Sequence, residues 1–434
     1  MDGPGTLNSK IVPKAQLPSV HGTAIFQSPR RWDNPGITQS TEAGSGKTAA
    51  SMIRRQLKIR WGTCTMLRNT GSLRILVVGC GNMGASHARA FRNMLGVEIV
   101  GLVSRGESKH HLATNLSLQV PLFDDVGTAL ASLAPDAVCI STYPDTHEAF
   151  TLAAIEAGCD VFVEKPLAPD TEGARRMVEA AQRAGRKLVV GYILRHHPTW
   201  QKFIGIARTL GSPLVMRMNL NQQSSGAEWQ VHRSLLASAS PIVDCGVHYV
   251  DVMCQMVAAR PLRVSAIGAC LDPGLPDRRC NYGQLQIVFS DGSVGWYEAG
   301  WGPMMSETAF FVKDVIGPRG AASIQSIHSD SNGASAKVED HVRANAIRVH
   351  HAELTPSGSF ARPDEWLTQT DEPGHDELCR REQEFFVRAI REQLDLTSHL
   401  EDSLASLSIV LAADQAMRTG QSVDLSGREF SLVS

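Results

Sequence analysis

Residues 74–84 read Arg-Ile-Leu-Val-Val-Gly-Cys-Gly-Asn-Met-Gly, and residues 85–90 continue in a composition typical of a helix. The apolar, β-branched beginning predicts a buried parallel strand. The glycines that follow have the G-x-G-x-x-G spacing, which combines a tight turn, close approach of the backbone to a pyrophosphate, and close packing of helix on strand. The order strand, glycine loop, helix therefore predicts a dinucleotide-binding domain whose helix N-terminus faces the phosphates. The residues expected to contact the cofactor here are Gly79, Gly81, Asn82, Met83 and Gly84.

The length and composition of the chain limit the classes of protein to which it can belong. At 434 residues it is too long for one ordinary core, which predicts two domains. Its hydrophobic content of 43% is typical of a globular protein, and no apolar run approaches the roughly 18–20 residues of a membrane span. The cysteines are scattered and none are spaced C-x-x-C, which argues for a reducing compartment and against disulfides or a zinc site. We therefore expect a cytoplasmic protein with no metal and no membrane partner.

The leader, residues 1–71, differs from the rest of the chain. Residues 1–70 hold ten Lys and Arg against three Asp and Glu, a net charge of +7, whereas the remainder has a net charge of −9. The leader contains Pro, Gly and Ser throughout and lacks a sustained apolar period, which predicts disorder and no role in the fold. Its basic, faintly amphipathic residues 51–62 leave an organelle transit peptide as the alternative. The mildly acidic body argues against nucleic-acid binding, which depends on basic patches.

Residues 72–192 alternate between strand-like and helix-like segments. Strands are predicted at residues 97–103, 136–142, 160–163 and 187–190, and helices at about residues 146–157 and 170–184. Such an alternation predicts an α/β fold with a doubly wound parallel sheet, whose ligands bind at the carboxyl ends of the strands. The residues that fall at such ends are Ser104, Thr142, Pro144 and Lys165.

The residues after the second strand bear on the choice of cofactor. NAD-preferring sites place Asp or Glu about 20 residues beyond the glycines, where it binds the ribose 2′-hydroxyl. This chain has Ser104 followed by Arg105 at that point. A carboxylate would repel a 2′-phosphate, whereas a hydroxyl and a guanidinium can bind one. The predicted cofactor is therefore NADP or NAD, with NADP favoured, and the alternative is that Arg105 is an ordinary surface residue.

Two further segments carry a specific resemblance. Residues 140–147 read Ile-Ser-Thr-Tyr-Pro-Asp-Thr-His, and residues 157–167 read Ala-Gly-Cys-Asp-Val-Phe-Val-Glu-Lys-Pro-Leu. In these segments the chain resembles the Gfo/Idh/MocA oxidoreductases, the glucose–fructose oxidoreductase and inositol dehydrogenase group, and the similarity runs over about residues 73–425. The resemblance implies that Lys165 reaches into the active site and that its bond to Pro166 is cis. Further cofactor contacts expected in these segments are His147 and Glu164.

Residues 193–425 predict a second domain of α+β type. Strand-like segments and a Ser-Asp-Gly-Ser turn at residues 290–293 predict a mostly antiparallel open sheet. Two amphipathic helices, at residues 378–390 and 403–417, close the chain and are interpreted as scaffold. In the family that the chain resembles, one face of the sheet is a subunit interface, so a homodimer or homotetramer is implied. The strand-like segments are residues 213–221, 263–270, 283–289, 294–301 and 308–316.

The segment 241–251, Pro-Ile-Val-Asp-Cys-Gly-Val-His-Tyr-Val-Asp, carries the predicted chemistry. Asp244 and His248 are four residues apart, so on a helix they share one face. Such a pair is often only a structural hydrogen bond, but Asp-x-Gly-x-His resembles the catalytic segment of the same family. Histidine, with a reference pKa of about 6.5, is poised to act as a base, whereas lysine at about 10.4 and aspartate at about 3.9 are charged. His248 is therefore predicted as the general base, Asp244 as its orienting carboxylate, and Lys165 as the group that holds the reacting oxygen.

Two stretches are candidates for substrate contacts. Arg195 leads out of the first domain together with two histidines, and it is predicted either to meet substrate hydroxyls or to brace the junction of the domains. Residues 229–233 are predicted to form a loop before the catalytic segment. His232 in that loop is predicted as a substrate contact, with an ordinary surface role as the alternative.

These motifs together predict an NAD(P)-dependent oxidoreductase that transfers a hydride between a secondary hydroxyl of a sugar, cyclitol or similar polyol and the nicotinamide. The pocket walls come from loops and leave the small-molecule substrate unnamed. One alternative is an NAD-dependent glycosidase, which the family that the chain resembles also contains. The other is a non-catalytic nucleotide or sugar sensor, and the presence of Lys165, Asp244 and His248 together argues against it.

Overall fold

The segment Leu73–Val78 forms the first strand, β1, and its apolar run is buried on both faces: Ile75, Leu76 and Val77 are fully buried. Burial on both faces is typical of a central strand in a parallel sheet. The computed structural model describes residues 71–275, 279–306, 312–325, 344, 346–369 and 372–432. The predictions for the leader concern residues 1–70, which lie outside this part of the chain.

A parallel sheet covered by helices forms the first half of the described chain. After β1 its strands are β2 Val97–Val103, β3 Leu122–Phe123, β4 Ala137–Ile140, β5 Asp160–Glu164 and β6 Leu188–Gly191. Its helices are α1 Asn82–Arg92, α2 Ser108–Asn115, α3 Val126–Leu133, α4 Pro144–Glu156 and α5 Thr171–Ala184. The strands are parallel and lie in the order β3-β2-β1-β4-β5-β6, which confirms the predicted doubly wound fold. The order reverses between β1 and β4, the point at which such sheets bind their ligands.

The ends of helix α5 show why its limits could be predicted from the sequence. The side chain of Asp170 accepts a hydrogen bond of 2.7 Å from the backbone N–H of Gly173, which caps the helix N-terminus. Gly185 ends the helix in the left-handed conformation with a φ of +62°. The helix therefore spans Thr171–Ala184, within one residue of the predicted limits.

The glycine loop packs so closely against the neighbouring strand ends that two of its positions have no room for a side chain. Gly79 has a φ of +92°, and a Cβ placed on it would lie 2.4 Å from the backbone oxygen of Ser141. A Cβ on Gly84 would lie 1.8 Å from the backbone oxygen of Gly79. Gly81 differs from both, because a Cβ there would meet no atom within 4 Å. Gly81 therefore leaves space above the loop, whereas Gly84 holds the helix against it.

A second, larger sheet follows. Its strands are β7 Val215–Gln223, β8 Pro261–Ala269, β9 Tyr282–Phe289, β10 Val294–Gly302, β11 Lys313–Gly317, β12 Gly320–Gln325, β13 Ala346–His351, β14 Glu365–Thr368 and β15 Val423–Asp424. Its helices are α6 Pro198–Thr209, α7 Gly226–Leu235, α8 Pro241–Asp244, α9 Gly246–Met256, α10 His375–Arg391 and α11 Thr397–Thr419. The strand order is β14-β13-β12-β11-β7-β10-β9-β8-β15, and β7 pairs with β10 in parallel while the other neighbours are antiparallel. The prediction of a mostly antiparallel open sheet is confirmed.

Two predictions of local structure in this half were wrong. Residues 229–233 lie on helix α7 and not in a loop. Trp229 is the buried residue of α7, so this helix has no repeating apolar face from which it could be recognised. The catalytic segment is not one regular helix, because α8 ends at Asp244 and α9 begins at Gly246. Among the described residues, no helix is long and apolar enough to cross a membrane.

The last two helices return to the first sheet and join the two halves. On α10, Gln383 contacts His87 of α1 at 3.0 Å. On α11, the Nε2 atom of His399 accepts a hydrogen bond of 2.9 Å from the backbone N–H of Val190 at the end of the first sheet. The C-terminal helices are therefore part of the frame that fixes one half against the other.

The difference in free space around Gly84 and Gly81 leads to a prediction about stability. Gly84→Ala is expected to lower the free energy of unfolding by about 1–3 kcal/mol, the usual cost of overpacking, because the new methyl group meets the backbone of Gly79. Gly81→Ala serves as the matched control and is expected to unfold at nearly the wild-type urea concentration, since nothing lies near its Cβ. Urea unfolding followed by circular dichroism measures both. Equal stability of the two variants would contradict this account of the loop.

Candidate active site

A cavity of about 430 Å³ lies where the carboxyl edge of the first sheet faces helices α7, α8 and α9. Asn82 and Met83 of the glycine loop line one side of it, and Lys165 follows strand β5 into it. Asp244 and His248 line the same cavity from the second half of the chain. The structure thus brings the predicted catalytic residues and part of the predicted cofactor loop to one pocket.

Lys165 and Asp244 form the central ion pair of this pocket. The Nζ atom of Lys165 lies 3.1 Å from Oδ1 of Asp244 and donates a second hydrogen bond of 3.1 Å to the backbone oxygen of Asp244. Burial by itself would lower the pKa of Lys165, but the Asp244 carboxylate raises it above its usual value. Burial would likewise raise the pKa of Asp244, but Lys165 lowers it. Both groups are therefore charged at neutral pH, and Lys165 is a hydrogen-bond donor and not a base.

The break between α8 and α9 explains how Lys165 can bind the backbone of Asp244. In a regular helix the carbonyl of residue 244 would accept from the N–H of His248, four residues later. Here the N–H of His248 donates to the carbonyl of Cys245 at 3.2 Å. The carbonyl of Asp244 accepts from Lys165 instead. The tightened turn at Cys245 thus presents both oxygens of Asp244, main chain and side chain, to the lysine.

His248 lies in the first turn of α9 and lines the same pocket. Its ring meets the ring of Tyr192 edge to face, with centroids 6.0 Å apart and an interplanar angle of 81°. Tyr192 itself is buried, and its hydroxyl lies 3.0 Å from Oγ of Ser406 on α11. An aromatic partner of this kind restricts the orientation of the imidazole ring.

The far wall of the pocket contains a second histidine in a different environment. His232 of α7 stacks on Trp301 of β10, with centroids 4.8 Å apart and an interplanar angle of 11°. Its Nδ1 atom lies 2.9 Å from Oγ of Ser224. Burial lowers the pKa of His232 to about 4, so its ring is neutral at neutral pH. His232 can therefore donate or accept a hydrogen bond in this pocket but brings no charge to it.

Comparison with known proteins places this site in a family. Residues 73–192 match the oxidoreductase family with an NAD-binding Rossmann fold, and residues 206–425 match the C-terminal alpha/beta domain of the same Gfo/Idh/MocA family. The chain belongs to the Gfo/Idh/MocA oxidoreductase family. The resemblance noted in the sequence is thereby confirmed.

The similar proteins include inositol dehydrogenases. Inositol 2-dehydrogenase of Paracoccus denitrificans (strain Pd 1222) is 32% identical over 187 residues, which are 42% of this chain and 53% of that protein. The chain therefore spans about half the length of the curated relatives it matches.

Solved structures show the same fold at low sequence identity. Scyllo-inositol dehydrogenase from Lactobacillus casei, with bound NAD(H) and scyllo-inositol, has a TM-score of 0.63 at 17% identity and covers 82% of this chain and 100% of that one. An oxidoreductase from Agrobacterium radiobacter in complex with NAD+, L-tartaric acid and magnesium has a TM-score of 0.65 at 16% identity, with 81% and 98% covered. At these identities the likeness establishes the fold.

The predicted cofactor residues of this Gfo/Idh/MocA chain fall into two groups. Asn82, Met83, Glu164 and Lys165 line the pocket. The glycines form the turn into α1, Ser104 and Arg105 follow β2, and Thr142 and Pro144 follow β4 at the same edge of the sheet. The described lining of the catalytic pocket does not include Ser104, Arg105, Thr142 or Pro144, so they stay predictions for other parts of the dinucleotide.

His147 has a bracing position. It is fully buried, and its Nδ1 and Nε2 atoms lie 3.0 Å and 3.1 Å from the backbone oxygens of Pro166 and Thr142. The peptide bond between Lys165 and Pro166 is cis, as the resemblance implied. His147 thus joins the loops that follow β4 and β5, and it is not among the described residues that line the pocket, so its cofactor contact stays a prediction.

Arg195 is not among the described residues that line the pocket, and its contacts lie at the domain junction. Its Nε and Nη2 atoms lie 2.8 Å and 2.5 Å from the carboxylate oxygens of Asp251, and Nη2 lies 3.3 Å from Asp402. Asp251 is 1% exposed, so this is a buried pair between the domain junction and helix α9. The bracing alternative left open by the sequence is the one that the contacts favour. Among the described residues, Arg195 is the cation paired with the buried Asp251, and without it that carboxylate would lose its counter-charge.

Sequence reasoning missed pocket residues that come from distant parts of the chain. Trp301 lines the pocket from β10, and its indole N–H donates to Oε1 of Gln222 at 2.7 Å. His375 and Glu382 line it from α10, a helix that the sequence had assigned to scaffold. Glu382 lies between Leu378 and Phe386 in the buried stripe of α10, and a charged residue in an apolar stripe is the signal that could have identified it.

The contacts of Arg195 generate a prediction that separates bracing from substrate binding. Arg195→Met is expected to lower the free energy of unfolding by about 3–5 kcal/mol, because it leaves Asp251 buried without its counter-charge. In the double variant with Asp251→Leu most of that loss should be recovered, since no charge is then stranded. Chemical denaturation measures the stability, and the KM of the folded enzyme should change little. A large rise in KM at unchanged stability would instead make Arg195 a substrate contact.

Proposed function

We propose that this protein is an NAD(P)-dependent dehydrogenase that oxidises a secondary hydroxyl of a cyclitol, sugar or similar polyol. The observation that carries the proposal is the Lys165–Asp244 ion pair, 3.1 Å between Nζ and Oδ1, in the pocket that His248 and the glycine loop also line. Hydrogen-bond donor, carboxylate and imidazole are the groups that moving a hydroxyl proton requires. The names of the inositol dehydrogenases to which the chain is similar support the cyclitol class.

The glycine loop fits a dinucleotide. Gly81 occupies the N-cap position of α1 in extended backbone, and no side chain caps the helix there. The first N–H groups of the helix can therefore bind a pyrophosphate, and the missing Cβ of Gly81 gives it room. When bound, the nicotinamide supplies the acceptor for the hydride.

The chain's own residues have distinct tasks in the proposed reaction. Lys165, kept as an ammonium by Asp244, donates a hydrogen bond to the reacting oxygen and stabilises the negative charge that develops on it. His248 removes the hydroxyl proton. Asp244 balances the charge of Lys165 and, as hydrogen-bond acceptor, fixes where its ammonium points. In the reverse direction His248 returns the proton to the oxygen.

The proposal includes a preference for NADP over NAD. Ser104 and Arg105 stand at the end of β2, where an acidic residue would select NAD. Lys109 supports the same loop from below: its Nζ donates to the backbone oxygens of Ser104 and Gly106 at 3.0 Å and 2.8 Å. These bonds fix the loop with Arg105 exposed at its surface. The ammonium of Lys109 also pairs with Asp124 at 2.6 Å, so Lys109 serves to hold the loop.

We further propose that the protein forms a homo-oligomer through the open face of the second sheet. Val215 pairs in register with Val294 on one side and Ile316 on the other. These three side chains are 38–39% exposed and form an apolar row across adjacent strands. Exposed apolar rows of this kind mark interaction surfaces. Light scattering after size exclusion tests the oligomer, and a monomer at micromolar concentration would overturn it.

The dehydrogenase proposal is tested by absorbance at the reduced-nicotinamide band across a panel of cyclitols and sugars, with NAD and NADP in parallel. A dehydrogenase releases one reduced cofactor for each substrate oxidised, whereas a glycosidase that oxidises only transiently releases none. Lys165→Met is expected to reduce kcat by about 10²–10³-fold, the usual loss for a donor to a developing oxyanion, with cofactor affinity little changed. Absence of any cofactor reduction across the panel, with cofactor binding intact, would favour the sensor.

The two pocket histidines make a matched pair for a pH experiment. In the wild type, kcat/KM should rise with pH through the neutral range as a histidine loses its proton. His248→Gln should lose this limb and about 10²–10⁴-fold in kcat. His232→Gln should keep the limb, because burial lowers the pKa of His232 to about 4 and its ring is neutral throughout this range. If the limb survives in His248→Gln and disappears in His232→Gln, the assignment of the base is wrong.

The cofactor preference has its own test. Arg105→Ala is expected to weaken NADPH binding by about ten- to a hundredfold, the loss of one hydrogen bond to a charged group, and to leave NADH unchanged. Arg92→Ala is the control, since Arg92 is an equally exposed arginine near the end of α1. Equilibrium titration of NADPH and NADH fluorescence measures both cofactors. A wild-type preference for NADH would refute the role given to Ser104 and Arg105.

A further inference from the structure

Three buried ionisable side chains form a cluster on the cofactor side of the pocket that the proposed mechanism does not use. They are His87 of α1, Glu164 at the end of β5 and Glu382 of α10, which are 0%, 6% and 1% exposed. One ligand atom from each lies within 4.8 Å of the others. Glu164 and Glu382 both line the pocket beside Lys165. The cluster thus joins the first sheet, the glycine-loop helix and the returning C-terminal helix.

The hydrogen bonds determine where the protons lie. The side-chain amide of Gln383 donates to Nδ1 of His87 at 3.0 Å, so the ring carries its proton on Nε2. Nε2 then donates to Oε1 of Glu164 at 2.7 Å. The other oxygen of Glu164 accepts from the backbone N–H of Lys165 at 3.1 Å. Burial would raise the pKa of Glu164, but the hydrogen bond from His87 lowers it, and the group is a carboxylate.

Glu382 has the opposite protonation state to Glu164. Burial, followed by the nearby carboxylate of Glu164, raises its pKa well above the usual value. Two carboxyl groups this close share one negative charge, so Glu382 is a neutral carboxylic acid. Its Oε1 atom is buried and has no hydrogen-bond partner among the described residues. A buried polar atom without a partner that borders a pocket indicates a ligand group that satisfies it.

The chemistry of that ligand group follows from the pair. A neutral carboxylic acid offers one O–H donor and one acceptor side by side, which matches the acceptor and donor of a primary amide. The ionised Glu164 beside it repels anions. Glu164 ends β5 and Gly191 ends β6, in the half of a doubly wound sheet that receives the second nucleotide of a dinucleotide. Gly191 keeps this place open, because a Cβ on it would lie 3.3 Å from Oε2 of Glu164.

We propose that Glu382, together with Glu164, is a cofactor-positioning residue that binds the carboxamide of the nicotinamide ring. This inference rests on the proposed function, because it requires a nicotinamide cofactor. Holding the carboxamide fixes the rotation of the ring about its glycosidic bond. Helix α10, at the opposite end of the sequence from the glycine loop, thereby determines which face of the ring is turned toward Lys165 and His248.

The test compares the affinities of two cofactors for the wild type and for two Glu382 variants, with no substrate present. The ligands are NADH or NADPH, whichever binds more tightly, and its 3-acetylpyridine analogue, whose methyl ketone lacks the amide N–H. The full-length wild type is expected to prefer the amide by about tenfold, the equivalent of one net hydrogen bond. Glu382→Leu should abolish the preference, and Glu382→Gln should retain most of it, because glutamine keeps a donor and an acceptor. A tenfold preference that persists in Glu382→Leu overturns the proposal.

ADP-ribose, which lacks the nicotinamide, is the control ligand and should bind all three proteins equally. If Glu382→Leu fails to bind ADP-ribose, that variant is misfolded. The proposal is then tested by the affinity of the wild type for nicotinic acid adenine dinucleotide. Its carboxylate would face Glu164 and should weaken binding at least tenfold relative to NAD; equal affinity overturns the proposal. Binding that EDTA abolishes would assign the cluster to a divalent cation and also overturn it. Failure of the wild type to bind any nicotinamide dinucleotide would instead be a failure of the proposed function.

Discussion

The ion pair between Lys165 and Asp244 is the contact on which the site depends. It joins the end of strand β5 to the end of helix α8, and so spans the two halves of the chain. Each partner holds the other in its charged form against the effect of burial, since Lys165 has a raised pKa and Asp244 a lowered one. Neither charge would be stable in this place alone. The pair therefore forms only when the two halves are correctly assembled. Assembly of the halves thus both encloses the pocket and places the ammonium of Lys165 in it as a hydrogen-bond donor.

The frame that keeps the halves in this relation lies outside the pocket. Arg195 pairs with the buried Asp251 behind helix α9, and His399 of α11 binds the backbone of Val190 beside it. Arg195 also lies 3.3 Å from Nδ1 of His399, so the two contacts form one network. The charged residues of the frame thus hold the two halves in position, whereas those of the pocket are available to a bound ligand. This division accounts for the contacts of Arg195, which lie at the junction although the preceding residues in the chain line the pocket.

The sequence predicted features that depend on short segments of the chain, and it missed contacts between residues that are far apart in the chain. The glycine loop and the limits of α5 are properties of short segments, and the structure has them as expected. The bond between Lys165 and the carbonyl of Asp244 at the turn could not be foreseen, because the two residues are 79 positions apart in the chain. Glu382 lies still farther from Glu164 along the chain, and no local pattern relates them. Sequence spacing selected the candidate side chains of one segment but not their partners in space.

The protonation states in the pocket form a consistent set that limits which group can move a proton. Glu164 is kept as a carboxylate by His87, and its charge keeps Glu382 neutral. Lys165 and Asp244 hold each other charged, and burial keeps His232 neutral. Each of these groups would have to give up a partner or enter water to change its state at neutral pH. His248 lies in the same pocket beside the ring of Tyr192. In the reaction proposed above it is the residue assigned to move the proton, while these described neighbours keep their charge states.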